Sequence, residues 1–191
     1  MTFKNKRYFQ KQSFELLEKT LKIHKKGFLD ESEYEIPLEQ INNKKTVQTE
    51  VNNNLIFIGI FFFAFSFLFL LGTTEQLTFI FGAIGLIFIV IALINRKKTV
   101  SISTYSSIPI ILYFNSSNKE DVISYSNTVI AASNKYLFRK YGKIDRTLPI
   151  EPQIENLKFL LDRDIISENN FEVLKNQLLG REGRSSIGFS N

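Results

Sequence analysis

Residues 55–72 read LIFIGIFFFAFSFLFLLG, and residues 77–94 read LTFIFGAIGLIFIVIALI. Each run is eighteen residues without a charge, and only Thr73, Thr74, Glu75 and Gln76 separate them. As a helix, each run would be about 27 Å long, close to the hydrocarbon thickness of a bilayer. Neither run has a polar face, and a chain of 191 residues is too short to bury two such helices in a soluble core. The expectation is a transmembrane helical hairpin over residues 55–94, its four-residue link permitting little but an antiparallel pair. Inside the runs Ser66 and Thr78 are polar, and each can bond its own helix backbone. With no charge in the spans, a proton or ion path through a single copy is disfavoured. Gly59, Ser66, Gly82 and Gly85 are small enough for close helix approach, although their spacing is not GxxxG.

The flanks set the orientation. Lys44 and Lys45 precede the first run, Arg96, Lys97 and Lys98 follow the second, and the link holds no Lys or Arg. The positive-inside rule then places both long termini in the cytoplasm and the link outside. Residues 1–14 are polar and basic, unlike a secretory signal. The mean hydropathy of −0.03 averages two unlike populations, because ten of the nineteen Phe lie in residues 55–94. The chain has no Cys and one His, which excludes disulfide frameworks, thiolate metal sites, Cys nucleophiles and multi-His metal sites. The net charge of +5 divides as +2 over residues 1–54, −1 in the link and +4 over 95–191. That modest excess suits the anionic inner face of a membrane, and no nucleic-acid partner is expected.

Outside the spans, periodicity gives the elements. Residues 20–25 (TLKIHK) alternate apolar and polar as a half-buried strand, with Phe14 and Leu16 extending the pattern upstream. Residues 26–32, with Gly27, form a turn, and residues 33–38 (EYEIPL) return as a strand whose Pro37 suits an end or an edge. Val100, Ile102 and Thr104 alternate again, and residues 108–114 are apolar on both faces, as in a covered strand or a barrel seam. Asn118 then caps a long helix with Glu120 and Asp121 in its first turn and Arg139 and Lys140 in its last, ending before Gly142. Its apolar pairs are Val122 and Ile123, Val129 and Ile130, and Tyr136 and Leu137, with Ser126 and Ser133 between them. A linker at residues 144–152 holds two prolines. Ile154, Leu157, Leu160 and Leu161 mark a short helix, and Ser167 caps another bearing Phe171, Leu174 and Leu178. Residues 181–191, rich in Gly and Ser, read as a disordered tail.

The order of strands, inserted hairpin, strands and closing helix resembles a bacterial pleckstrin-homology-like domain. The likeness is carried by residues 20–41 (TLKIHKKGFLDESEYEIPLEQI) and 99–142. It implies an α+β membrane protein: an antiparallel sheet or barrel split over residues 1–54 and 95–143, closed by one helix and interrupted by the hairpin. Residues 154–179 (IENLKFLLDRDIISENNFEVLKNQLL) resemble the short C-terminal helical-hairpin family abbreviated SHOCT, through Leu157, Leu160, Ile166, Ser167, Phe171, Lys175, Leu178 and Leu179. Two positions depart from that family: Asp164 replaces a helix-ending Gly, and Asn170 replaces a capping Glu. This second resemblance implies a bacterial protein and an oligomerisation or docking role over residues 153–180, and implies no catalytic activity. Together with the two apolar runs it gives the expectation of a bacterial inner-membrane protein.

The functional residues follow from these placements. In pleckstrin-homology domains that bind phosphoinositides the first hairpin is basic, and Lys22, Lys25 and Lys26 occupy a comparable place. A generic basic strand beside an anionic membrane is the plainer account of them. Arg96, Lys97 and Lys98 are topology determinants first and headgroup contacts second. Leu157, Leu160, Phe171, Leu174 and Leu178 are expected to dock, because two helices of about ten residues are marginal alone. Their partner is left open between another copy, a second protein and the body of the same chain. No catalytic constellation, metal site or cofactor motif is expected: His24 reads as solvated, and Asp162 and Asp164 flank Arg163 in a turn. The leading expectation is a non-enzymatic membrane scaffold or regulatory subunit. A sensor of anionic lipid and an oligomeric pore-forming effector are the alternatives.

Overall fold

The structure, a computed structural model, describes residues 1–7, 10–70, 75–106 and 108–180. Within them the chain is α+β, with two antiparallel sheets and five helices. Strands β1 (Thr2–Arg7), β2 (Gln10–Leu16), β3 (Thr20–Lys26) and β4 (Glu31–Pro37) form a meander in sequence order. A 3-10 turn at Leu38–Gln40 leads into β5 (Ile41–Glu50), which pairs with β6 (Lys97–Thr104) and through it with β7 (Ile110–Phe114). Helix α3 (Lys119–Tyr141) lies across both sheets.

The alternation read in the sequence is what builds the core. Phe14, Leu21, Ile23 and Ile36 come from the first sheet, and Val100, Ile102, Ile110 and Leu112 from the second. They meet Val122, Tyr125 and Val129 of α3 in one buried cluster. The sheets are also stitched by amide side chains. Gln12, 3% exposed, donates to the Ile111 carbonyl at 3.1 Å and accepts from the Tyr113 N–H at 3.0 Å. Asn5 donates to the Tyr113 carbonyl and accepts from the Asn118 amide at 2.9 Å. The free backbone edge of β7 is thereby satisfied by β1 and β2 side chains, which a buried edge requires.

Several expectations are corrected here. No expectation covers strands β1 and β5, and Phe14 and Leu16, read as an upstream extension of the 20–25 strand, lie on a separate strand, β2, that pairs antiparallel with it. The α3 bounds agree with the reading, but the Asn118 side chain does not cap the helix: it accepts from the Asn115 N–H at 2.7 Å and holds Asn5 instead. Ser126 and Ser133 are buried in the helix–sheet contact, and Ser133 donates to the Leu38 carbonyl at 2.6 Å. The linker is shorter than expected, because α4 (Ile150–Asp162) starts after Pro149 and takes Pro152 into its first turn. Backbone N–H groups there have no helical partner, so proline is tolerated.

Helices α1 (Asn53–Leu70) and α2 (Glu75–Ile94) are inserted between β5 and β6, whose ends face each other at Glu50 and Lys97. The helices pack on each other. Among the described residues one stretch, Gln76–Ile94, is long and apolar enough by length and composition to cross a membrane, and it is largely exposed. The apolar stretch of α1, Asn53–Leu68, falls short of that length. Its sequence run continues into residues 71 and 72, which lie outside the described residues, as do Thr73 and Thr74 of the expected link. Glu75 and Gln76 belong to α2 and not to a loop. Ser66 bonds its own helix at the Phe63 carbonyl (2.6 Å), whereas the Thr78 hydroxyl is buried with no partner among the described residues. The expected C-terminal tail also lies outside the described residues.

Candidate functional site

The outer face of the first sheet carries its charge in rows set by register. Lys6 faces Lys11, Lys11 faces Lys26, and Lys26 faces Glu31. The next row is Lys4, Ser13, His24 and Glu33. The face is therefore basic on the β1–β2 side and acidic along β4. Two of the three expected headgroup lysines of β3 are drawn toward that acidic side. Lys22 pairs with Glu33 at 2.7 Å, and Lys26 pairs with Glu31 at 3.0 Å. The His24 ring also meets Glu31, at 2.8 Å. Hydrogen bonds from Lys26 and then His24 hold the Glu31 carboxyl below its ordinary value, and Lys22 does the same for Glu33. Lys25 points the other way, 5.3 Å from the Tyr34 ring centroid.

Sequence reasoning took β3–β4 as the first hairpin, and the structure corrects this: β1–β2 precedes it. Lys4, Lys6 and Lys11 of that earlier hairpin make no ion pair among the described residues. With His24 and Lys26 they line a cleft of about 290 Å³. The signal was present but thin, because Phe3 and Asn5 alternate with Lys4 and Lys6 while supplying only one apolar side chain. A second cleft, of about 330 Å³, is lined by Lys6, Ile94, Arg96, Lys98 and Phe114 with Asn115 and Ser116. Here the expected Arg96 and Lys98 do come together, at the point where α2 meets the body, and Lys98 donates to the Ser116 hydroxyl at 3.3 Å. Lys97 is placed opposite Glu50 in the β5–β6 ladder.

The expected docking residues are occupied by their own chain. Helix α5 (Glu168–Leu178) pairs with α4. Leu157, Leu160, Ile166 and Phe171 form a buried cluster with Leu137 of α3, and Leu174 packs against it half-buried. Leu178 is buried too. The Arg163 guanidinium fixes the arrangement: it donates to the Glu39 carbonyl and stacks on Tyr105 and Phe159 at 4.0 and 4.4 Å. Asn43 of β5 donates to the carbonyls of Arg163 and Asp164. Asp164 has φ of 57°, the left-handed conformation that favours glycine. There the Ile165 N–H reaches the Leu160 carbonyl and the Asp164 N–H reaches that of Leu161, both at 2.9 Å, a Schellman ending. Ser167 caps α5 by accepting from the Asn170 N–H.

Among the described residues no three His, Asp or Glu side chains converge as metal ligands would. No protein-family model, curated protein or solved structure matches this chain.

Proposed function

We propose that the protein is a non-enzymatic scaffold or regulatory subunit of the bacterial inner membrane, anchored by α1 and α2 as a two-helix span with both termini in the cytoplasm. The observation that carries this is the exposure of the helix pair: Phe57 is 73% and Phe79 77% exposed. Such side chains are stable only in an apolar surrounding, and the helices present them over most of their length. The split body, with four- and three-stranded antiparallel sheets and one helix across them, supports a pleckstrin-homology-like reading. The Schellman turn at Asp164 and the Ser167 cap support a SHOCT-like reading of α4 and α5. A partner protein or second copy would meet apolar residues that the docking of α4 and α5 leaves exposed: Leu148 before α4, Ile150 at its start and Val173 on α5.

Recognition of anionic lipid headgroups is the second reading, favoured by the cleft that gathers Lys6, Arg96 and Lys98 beside Ile94. It shifts the basic contribution from Lys22 and Lys26, which β4 carboxylates engage, to β1 and the foot of α2.

Topology is the direct test. The chain has no cysteine, so single cysteines at Ser13, Thr74 and Ser185 report independently. An impermeant maleimide added to intact cells should label position 74 alone. Labelling at 13 or 185 would overturn the proposed arrangement.

A further inference from the structure

The turn between β3 and β4 ends in two large apolar residues: Phe28 is 81% exposed and Leu29 is 89% exposed. Scattered single apolar residues on a surface need no explanation, but an adjacent pair at the tip of a charged hairpin does. Register and cavities locate that tip. Lys26, the last residue of β3, lies in the row of Lys11 and Lys6. Lys6 shares a cleft with Ile94, Arg96 and Lys98 at the end of α2. Gly27 and Asp30, which bracket the tip, share another cleft with Tyr113. Tyr113 in turn pairs with Thr99, two residues from the start of β6. The tip therefore leaves the body at the end from which α1 and α2 leave it, while the β2–β3 turn at Leu17 leaves at the opposite end.

We infer that Phe28 and Leu29 are a second membrane contact: they enter the interfacial layer of the same leaflet that α1 and α2 cross, and so hold the body against it. The occupant is an anionic bilayer surface, and charge complementarity argues for it. Lys6, Lys11, Lys25, Arg96 and Lys98 gather at this end beside the matched Lys26–Glu31 and Lys97–Glu50 neighbours. They outnumber Asp30 and the start of α3, where Asn118 holds Lys119, Glu120 and Asp121 beside Asn5. Aromatic and leucine side chains favour the headgroup–acyl boundary, and nearby lysines add attraction to an anionic leaflet. One hairpin tip and one helix pair give the body two separated attachments, which restricts its tilt where a helix pair alone would not. The inference rests on the reading of α1 and α2 as membrane-embedded.

The test uses the full chain reconstituted in vesicles of phosphatidylcholine and phosphatidylglycerol. The protein has no tryptophan, so Phe28→Trp, Leu17→Trp and Phe79→Trp each carry one fluorophore. All three positions are exposed, so the substitutions do not disturb the core. With lipid brominated near the headgroup end of the acyl chain, Phe28→Trp should be blue-shifted and lose most of its emission, while Leu17→Trp stays unquenched. Phe79→Trp, one turn inside the outer end of α2, should be quenched by the same lipid in the opposite leaflet. Quenching of Phe79→Trp with Phe28→Trp as unquenched as Leu17→Trp would overturn the inference and leave the span standing. An unquenched Phe79→Trp would remove the span and the inference together.

Discussion

Tyr125 sits at the centre of the body, stacked on Phe3 with ring centroids 4.5 Å apart and tilted against Phe14 at 6.0 Å. It is 3% exposed, and its hydroxyl has no hydrogen-bond partner among the described residues. Burial accordingly pushes the phenol up to about 12, so it is neutral throughout the physiological range. A buried hydroxyl without a partner costs about 1–3 kcal/mol, and the ring does the packing without it. Tyr125→Phe should therefore raise stability by about 1 kcal/mol, read as a higher denaturation midpoint at unchanged slope. A lower midpoint would mean that the hydroxyl is satisfied in solution. The same logic runs in reverse for Gln12 and Asn5. Their amides are buried and bonded, Gln12 to the β7 backbone and Asn5 to the β7 backbone and Asn118, so an apolar replacement there would strand backbone groups.

At the scale of elements, the contact between α1 and α2 depends on two glycines placed across from each other. A Cβ on Gly85 would lie 2.7 Å from the Gly59 carbonyl oxygen and 2.7 Å from the Phe63 nitrogen, so the backbones themselves touch. At Gly82 the nearest atom would be the Ser66 hydroxyl oxygen at 3.7 Å, an ordinary contact. Gly85→Val should then force the helices apart at a cost of about 1–3 kcal/mol, while Gly82→Ala is tolerated. Cysteines replacing Phe62 and Phe88, whose rings stack at 6.0 Å, would react together with a short bifunctional thiol reagent in the parent and the Gly82→Ala protein. They should fail to do so with Gly85→Val, and equal yields in all three would refute the close contact. The sequence offered these glycines as packing candidates but no register between the helices, since that is fixed only when the two helices meet. The same limit explains the missed strands. Residues of β3, β6 and α3 are legible because burial on one face imposes a period. Strand β5 has only Ile41 buried, and it is held by its ladder to β6, which leaves no mark on its own residues.

Across the whole molecule, the C-terminal helices are the part whose role changes most between sequence and structure. Their apolar stripe was legible at Leu157, Leu160, Phe171 and Leu178. The sequence left its partner open because nothing local distinguishes a face that folds back from one that binds outward. What decides the matter is spread over distant residues. Gln153 ties the linker down by donating to the carbonyls of Asp145, Leu148 and Pro149, at 2.8, 3.3 and 3.1 Å. Arg163, read from sequence as one charge in an acidic turn, bridges to Glu39, Tyr105 and Phe159. Removing Phe171 from its cluster should cost about 3–5 kcal/mol, and placing a carboxylate there more. Phe171→Asp should therefore release α4 and α5 from α3 and expose the segment around Asp145 to protease, while Arg163→Ala loosens the same contact more mildly. On the proposed two-helix span, membrane insertion should be unchanged in both, because α1 and α2 leave the body from β5 and β6. Limited proteolysis of the reconstituted protein reads this directly. Cleavage no faster than in the parent would mean that the helices hold through a partner, and that their own chain is not what buries Phe171.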